Sequence, residues 1–170
     1  ISLTSIGSGI VSNCEFINNS GIYSGAFTNF GYGGVYRIVN CNFTGNTASK
    51  ADGGGAIRLS VFSNEIDNCR FEGNSAPNGA IYVATPYLTL TNSNFTKNSA
   101  TTGNGGAITL TSSARNSIIS NCKFNANTAI SGAAGAICVN TKITIENSDF
   151  IGNNAKTNAG AILLQTSASD

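Results

Sequence analysis

A Phe that recurs at spacings of 27, 28, 24, 29 and 26 residues constrains this chain more than any other feature. The anchors are Phe16, Phe43, Phe71, Phe95, Phe124 and Phe150. Three residues before each stands Asn13, Asn40, Asn68, Asn92, Asn121 or Asn147. Three residues after each stands Asn19, Asn46, Asn74, Asn98, Asn127 or Asn153. Two residues before the Phe sits Cys14, Cys41, Cys69 or Cys122, with Ser93 and Ser148 in the other two units. Five residues after it comes Ala in every unit but the first, where Gly21 stands. A self-similar period in the twenties belongs to a leucine-rich repeat or a β-solenoid coil. The Leu-x-x-Leu-x-Leu pattern of the former is absent. Strong helix formers are scarce while Ile, Thr, Asn and Gly abound, which favours strands and turns.

Each unit opens on a glycine–alanine–apolar stretch, as in Gly54-Gly55-Ala56-Ile57 and Gly105-Gly106-Ala107-Ile108. Alternation along a strand puts Ile57, Leu59 and Val61 inward, and likewise Ile81 with Val83, Ile108 with Leu110, Ile137 with Val139, and Ile162 with Leu164. A second strand buries Tyr36 with Ile38, Leu88 with Leu90, and Ile143 with Ile145. Cys and Phe then point inward in the third. The step from the second strand to the Cys is odd, so alternation breaks at the minus-three Asn, a residue that tolerates a left-handed backbone. The expectation is an all-β, right-handed, single-stranded parallel β-helix of about six coils, three short strands to a coil. Coils rise roughly 4.8 Å each, giving a rod core of about 30 Å. Phe stacks on Phe, and the minus-three Asn column is expected to form an amide ladder at the corner.

The pairing of Gly-Gly-Ala-Ile with Phe-x-x-Asn resembles the repeats of the chlamydial polymorphic outer membrane proteins and related adhesin-like surface proteins. Phe-x-x-Asn is intact in all six units, and the full Gly-Gly-Ala-Ile occurs at Gly54 and Gly105. The resemblance implies a right-handed parallel β-helix displayed outside the cell, as a passenger or adhesive stalk. Residues 1–170 read as a single repeat domain, expected to be a fragment of a longer solenoid or a fibre subunit, since coils at both ends otherwise expose unpaired edges.

Chemistry is thinly represented. The chain has no His, which removes Ser–His triads, His-ligated metals and the commonest acid–base residue. The acids are Glu15, Asp52, Glu65, Asp67, Glu72, Glu146, Asp149 and Asp170, and no two neighbouring coils place them in one column. Glu65 and Asp67 make the one close outward pair, where sugar-cleaving chemistry needs a carboxylate cluster. The Cys column reads as small apolar filling, since stacked thiols at about 4.8 Å exceed relaxed disulfide geometry. No catalytic, cofactor or metal site is therefore expected. Charged residues are 10% and the net charge is +1, so nothing marks nucleic acid as a partner, and no apolar run is long enough to span a membrane.

Partners are expected to be other copies or segments of the same protein, or a cell-surface protein or glycan. The leading expectation is a non-enzymatic extracellular stalk, adhesin or fibre module. The second is a carbohydrate-binding or carbohydrate-processing β-helix, for which Tyr23, Phe30, Tyr32, Tyr82 and Tyr87 are the candidate exposed aromatics. Asn18, Asn42 and Asn94 match the N-glycosylation pattern. Alternation also predicts an outward row on the first strand: Ala56 with Arg58, Ala80 with Tyr82, Ala107 with Thr109, Ala136 with Cys138, and Ala161 with Leu163. This small, partly apolar track is expected to pack against a neighbouring chain, a covering loop or another segment of the protein. Cys138 would then be covered there or bridged to a second chain.

Overall fold

In-register stacking of like residues sets the architecture of the computed structural model, which describes residues 1–4, 7–30, 34–61 and 63–165. All its regular elements are strands, and every pairing is parallel between one coil and the next. Phe16, Phe43, Phe71, Phe95, Phe124 and Phe150 stand in direct register. Their ring centroids are 4.6–4.9 Å apart and their planes within 10° of parallel. That separation is the strand spacing of a sheet, so the coil rise dictates the stack. Among the described residues no helix is long and apolar enough to cross a membrane.

Each coil carries four strands rather than three. The third coil shows them as Ile57–Leu59, Asn64–Asp67, Arg70–Glu72 and Ser75–Ala76. The opening sheet has seven strands and the other three have six. The additional strand arises because a second left-handed corner follows the Phe. At the plus-two position Asn18, Gly45, Gly73, Lys97, Ala126 and Gly152 all have φ between 52° and 64°. Only three of these six are Gly, so the corner hides in the sequence. The minus-three Asn residues make the other corner, with φ between 48° and 55°.

The continuous amide ladder stands at plus-three, not at minus-three. The backbone N–H and Nδ2 of Asn19 both donate to Oδ1 of Asn46, and the pattern repeats through Asn74, Asn98, Asn127 and Asn153 at 2.9–3.0 Å. The second Nδ2 hydrogen of Asn46, Asn74, Asn98, Asn127 and Asn153 reaches the Phe carbonyl of the preceding coil at 2.8–3.0 Å. Each interior amide thus uses both donors and both acceptor lone pairs while fully buried. The minus-three amides lie at the exposed surface. Asn40 donates to Asn13 at 3.3 Å and Asn68 to Asn40 at 2.8 Å, but Asn92 turns instead to Asp67 at 2.7 Å. Their common role is the φ of the corner.

The Gly-Gly-Ala-Ile motif encodes a repeated bulge. The N–H groups of both Ala56 and Ile57 donate to the Ala80 carbonyl, those of Ala80 and Ile81 to Ala107, and those of Ala107 and Ile108 to Ala136. Two donors on one carbonyl break the alternation, so Ala and Ile both turn toward the core. Gly precedes the Ala because the backbones touch: a Cβ at Gly106 would lie 2.2 Å from the Gly135 carbonyl oxygen. The inward Ile, Leu and Val of the interior coils join the Phe stack in one core, while Phe16, Ile143, Ile145 and Phe150 in the outermost coils are only partly buried.

The two Asn columns predict separable mutational effects. Asn98→Leu orphans the Phe71 carbonyl and both donors of Asn74, each worth about 1–3 kcal/mol, so a loss above about 3 kcal/mol is expected. Asn121→Gly should change stability by less than about 1 kcal/mol, since Gly accepts the corner's φ, whereas Asn121→Leu adds left-handed strain of about 1–2 kcal/mol. Denaturant midpoints of the three variants check this order.

Candidate functional site

The bulge decides what the outer face of the opening sheet presents. Ala56, Ala80, Ala107 and Ala136 are fully buried members of the core, not an outward track. Ala161, just before the last strand of the sheet, is partly buried. The outward row is the single residue after each opening Ile, or after Phe27 in the second coil, running Thr28, Arg58, Tyr82, Thr109, Cys138 and Leu163 in register. In the third and fifth coils the loop leading into the strand folds across this row. Arg58 Nη2 meets Asp52 Oδ2 at 2.9 Å and its Nε donates to the Asp52 carbonyl at 2.8 Å. The Thr109 hydroxyl donates to the Asn104 carbonyl at 2.5 Å. Cys138 is fully buried within the chain itself, and its Sγ lies 3.8 Å from Gln165 Oε1.

Where this row passes the second, third and fourth coils it meets an aromatic cluster outside the core. Tyr23 and Phe30 pack edge to face with centroids 5.0 Å apart. The Arg58 guanidinium carbon sits 5.0 Å from the Phe30 centroid, 5.2 Å from Tyr23 and 6.0 Å from Tyr82. Lys50 Nζ lies 4.2 Å over the Tyr23 ring. Burial, then the charge of Asp52, pushes the Tyr82 phenol above its ordinary range. Aromatic faces beside fixed polar groups suit a polar, ring-shaped guest, and cations over rings strengthen such a wall. Tyr32 lies outside the described residues. Tyr87 is exposed elsewhere, at a left-handed position with φ 63°.

Three of the outward carboxylates are engaged by local partners. Glu65 accepts from Arg37 Nε at 2.8 Å and Nη2 at 3.2 Å. Asp67 accepts from the Thr91 hydroxyl at 2.6 Å and from Asn92, and these bonds hold its carboxyl below the usual range. Glu72 pairs with Arg70 at 2.7 Å. No group of three or more metal-ligating side chains assembles among the described residues. Asn18, Asn42 and Asn94 are all exposed.

The Cys and Ser column does more than fill space. In all six coils the thiol or hydroxyl donates to the carbonyl two residues earlier, from Cys14 with Ser12 to Ser148 with Glu146, at 2.7–3.3 Å. The same atoms accept N–H groups from the preceding coil, as in Cys69 to Ser93 at 3.0 Å and Cys122 to Ser148 at 3.1 Å. That shared geometry explains why Ser and Cys interchange. Burial pushes the Cys69 thiol up to about 12 and that of Cys122 to about 11, so neither is a ready nucleophile.

A family model described as a right handed beta helix region matches residues 1–169. No curated protein and no solved structure matches the chain.

Two solution measurements follow from the thiols. In the native chain a thiol reagent should label Cys14 first, the one Cys that is not buried, and the other four only as the protein opens; prompt labelling of Cys138 would contradict its cover. The buried thiols' contribution to stability should be complete below about pH 8.5 and fall away as pH rises toward 12. Unfolded thiols ionise near 8.5 while the folded Cys69 thiol stays protonated until about 12, so alkali favours the unfolded chain. Cys69→Ser should flatten that slope in pH-dependent melts.

Proposed function

The chain belongs to the right-handed β-helix family, and from that premise we propose that it serves as a non-enzymatic, extracellular structural module: a surface stalk, an adhesin segment or a fibre-forming unit. The family holds both pectate lyase-like enzymes and non-enzymes. The observation that carries this reading is the use made of polar side chains. Asn, Cys and Ser close the corners coil after coil, and the outward carboxylates Glu65, Asp67 and Glu72 bind Arg37, Thr91 with Asn92, and Arg70. Glycoside cleavage needs a pair of carboxylates held free across a cleft, and these three are each engaged. The likeness of Gly-Gly-Ala-Ile and Phe-x-x-Asn to the polymorphic outer membrane protein repeats supports display at a cell surface. Lateral contacts with other copies, or with a surface protein or glycan, then fall to the outer faces.

A carbohydrate-binding role is the second reading, favoured by the Tyr23, Phe30, Arg58 and Tyr82 cluster. Incubation of the purified chain with plant, bacterial and animal polysaccharides should release no new reducing or unsaturated ends. Turnover that disappears in the Glu65→Gln/Asp67→Asn double variant would overturn the non-enzymatic reading. Protease treatment of intact source cells should release peptides of this chain.

A further inference from the structure

We propose that a basin on the outer face of the third sheet, across the third to sixth coils, takes one terminal acidic sugar, a ring with a single carboxylate and several hydroxyls. The inference rests on the carbohydrate-binding reading and places it on a face with open space.

Two outward columns flank the Phe stack, and their side-chain lengths vary from coil to coil. In the column before the Phe, Arg70, Asn94 and Lys123 stand in register. In the column after it, Thr96, Asn125 and Ile151 do the same. The fourth coil thus carries two short residues, Asn94 and Thr96, and longer ones rise around them. Arg70 stands in the third coil, Lys123 in the fifth and Ile151 in the sixth. The result is an open basin of about 330 Å³ over the strand Lys123–Asn125. Small-molecule sites begin at about 300 Å³, so the space suits a single ring rather than a chain of them. Arg70, Asn94, Lys123, Asn125 and Ile151 are exposed and Thr96 is half-buried, so a guest reaches every wall.

The charges select the guest. Arg70 and Lys123 lie two coils apart, roughly 10 Å along the rod, with Asn94 between them. Arg70 pairs with Glu72 at 2.7 Å through one nitrogen, and a guanidinium has further donors to give. Lys123 has no carboxylate within ion-pair distance among the described residues. A carboxylate seated over Asn94 is therefore within reach of two long cationic side chains. The amides of Asn94 and Asn125 and the Thr96 hydroxyl offer donors and acceptors to ring hydroxyls, and Ile151 offers an apolar contact. Glu72 stands in register with Thr96 and Asp149 with Lys123, so an acid borders the basin at each end. A polyacid laid along the rod brings its next carboxylate against one of them, whereas a lone acid does not. A neutral sugar leaves both cations unused.

The test titrates the purified chain, made without N-glycosylation so that Asn94 is bare, with methyl glycosides of N-acetylneuraminic, glucuronic and galacturonic acid. Methyl glucoside, acetate and polygalacturonate are the comparisons, and the side-chain amide NMR signals of Asn94 and Asn125 are the readout. At least one acidic glycoside should shift both signals saturably at millimolar concentration, and added salt should weaken it. Arg70→Gln and Lys123→Gln should each weaken binding about fivefold or more with little change in melting temperature, and Lys142→Gln should not. Equal shifts by acetate or methyl glucoside, tighter binding of polygalacturonate per sugar unit, or shifts that survive both variants would overturn the assignment. If acidic glycosides leave both amides unmoved while a neutral sugar binds elsewhere, this site falls and the carbohydrate-binding reading stands. If no sugar binds, both fall, and the structural module does not.

Discussion

The rod depends on one amide in each coil. A solenoid must turn its chain through tight corners, and each corner points backbone groups away from their strand partners. The plus-three Asn resolves this by acting as a piece of backbone: it accepts the N–H and Nδ2 of the Asn before it and donates to the carbonyl of a Phe one coil back. Because these bonds run along the axis, every coil is satisfied by its neighbours rather than by itself. The Phe stack shares this logic. Rings held 4.6–4.9 Å apart by strand spacing require a Phe above and below, so the amide and the ring repeat together.

That coupling explains how much was legible in the sequence. Phe, its flanking Asn residues and the Cys or Ser form columns because stacking demands like on like, and the columns give period, fold and core directly. What stayed hidden was the work assigned to each column. Both Asn columns are equally regular, yet the minus-three one is kept by a backbone angle and the plus-three one by its amide. The fourth strand was hidden because its corner accepts Asn18, Lys97 and Ala126 as well as Gly. The alanines were read as outward because alternation is blind to a bulge, in which two donors share one carbonyl and shift the parity by one.

The candidate site was legible only in part. Arg58 and Tyr82 fell in a predicted outward row, and Tyr23 and Phe30 in a list of exposed aromatics. Nothing in the spacing linked them to Asp52, because the loop that carries it, in residues 49–55, is the part of the repeat that varies. Residues 77–79 and 101–106 fill the same place in the following coils. Strict inward columns with variable covering loops leave the rod unchanged while the outer row is redressed coil by coil. The outer row is thus where the surface differs along such a molecule, and the axis is where stability is held.

Hydrogen exchange at the side-chain amides tests the central claim most directly. The Nδ2 hydrogens of Asn74, Asn98 and Asn127 should exchange only through cooperative opening of the coils, at the rate of the slowest strand amides. Those of the exposed minus-three Asn40 and Asn68 should exchange far faster despite their mutual contact. Equal, fast exchange in both columns would contradict an axis held by the plus-three ladder.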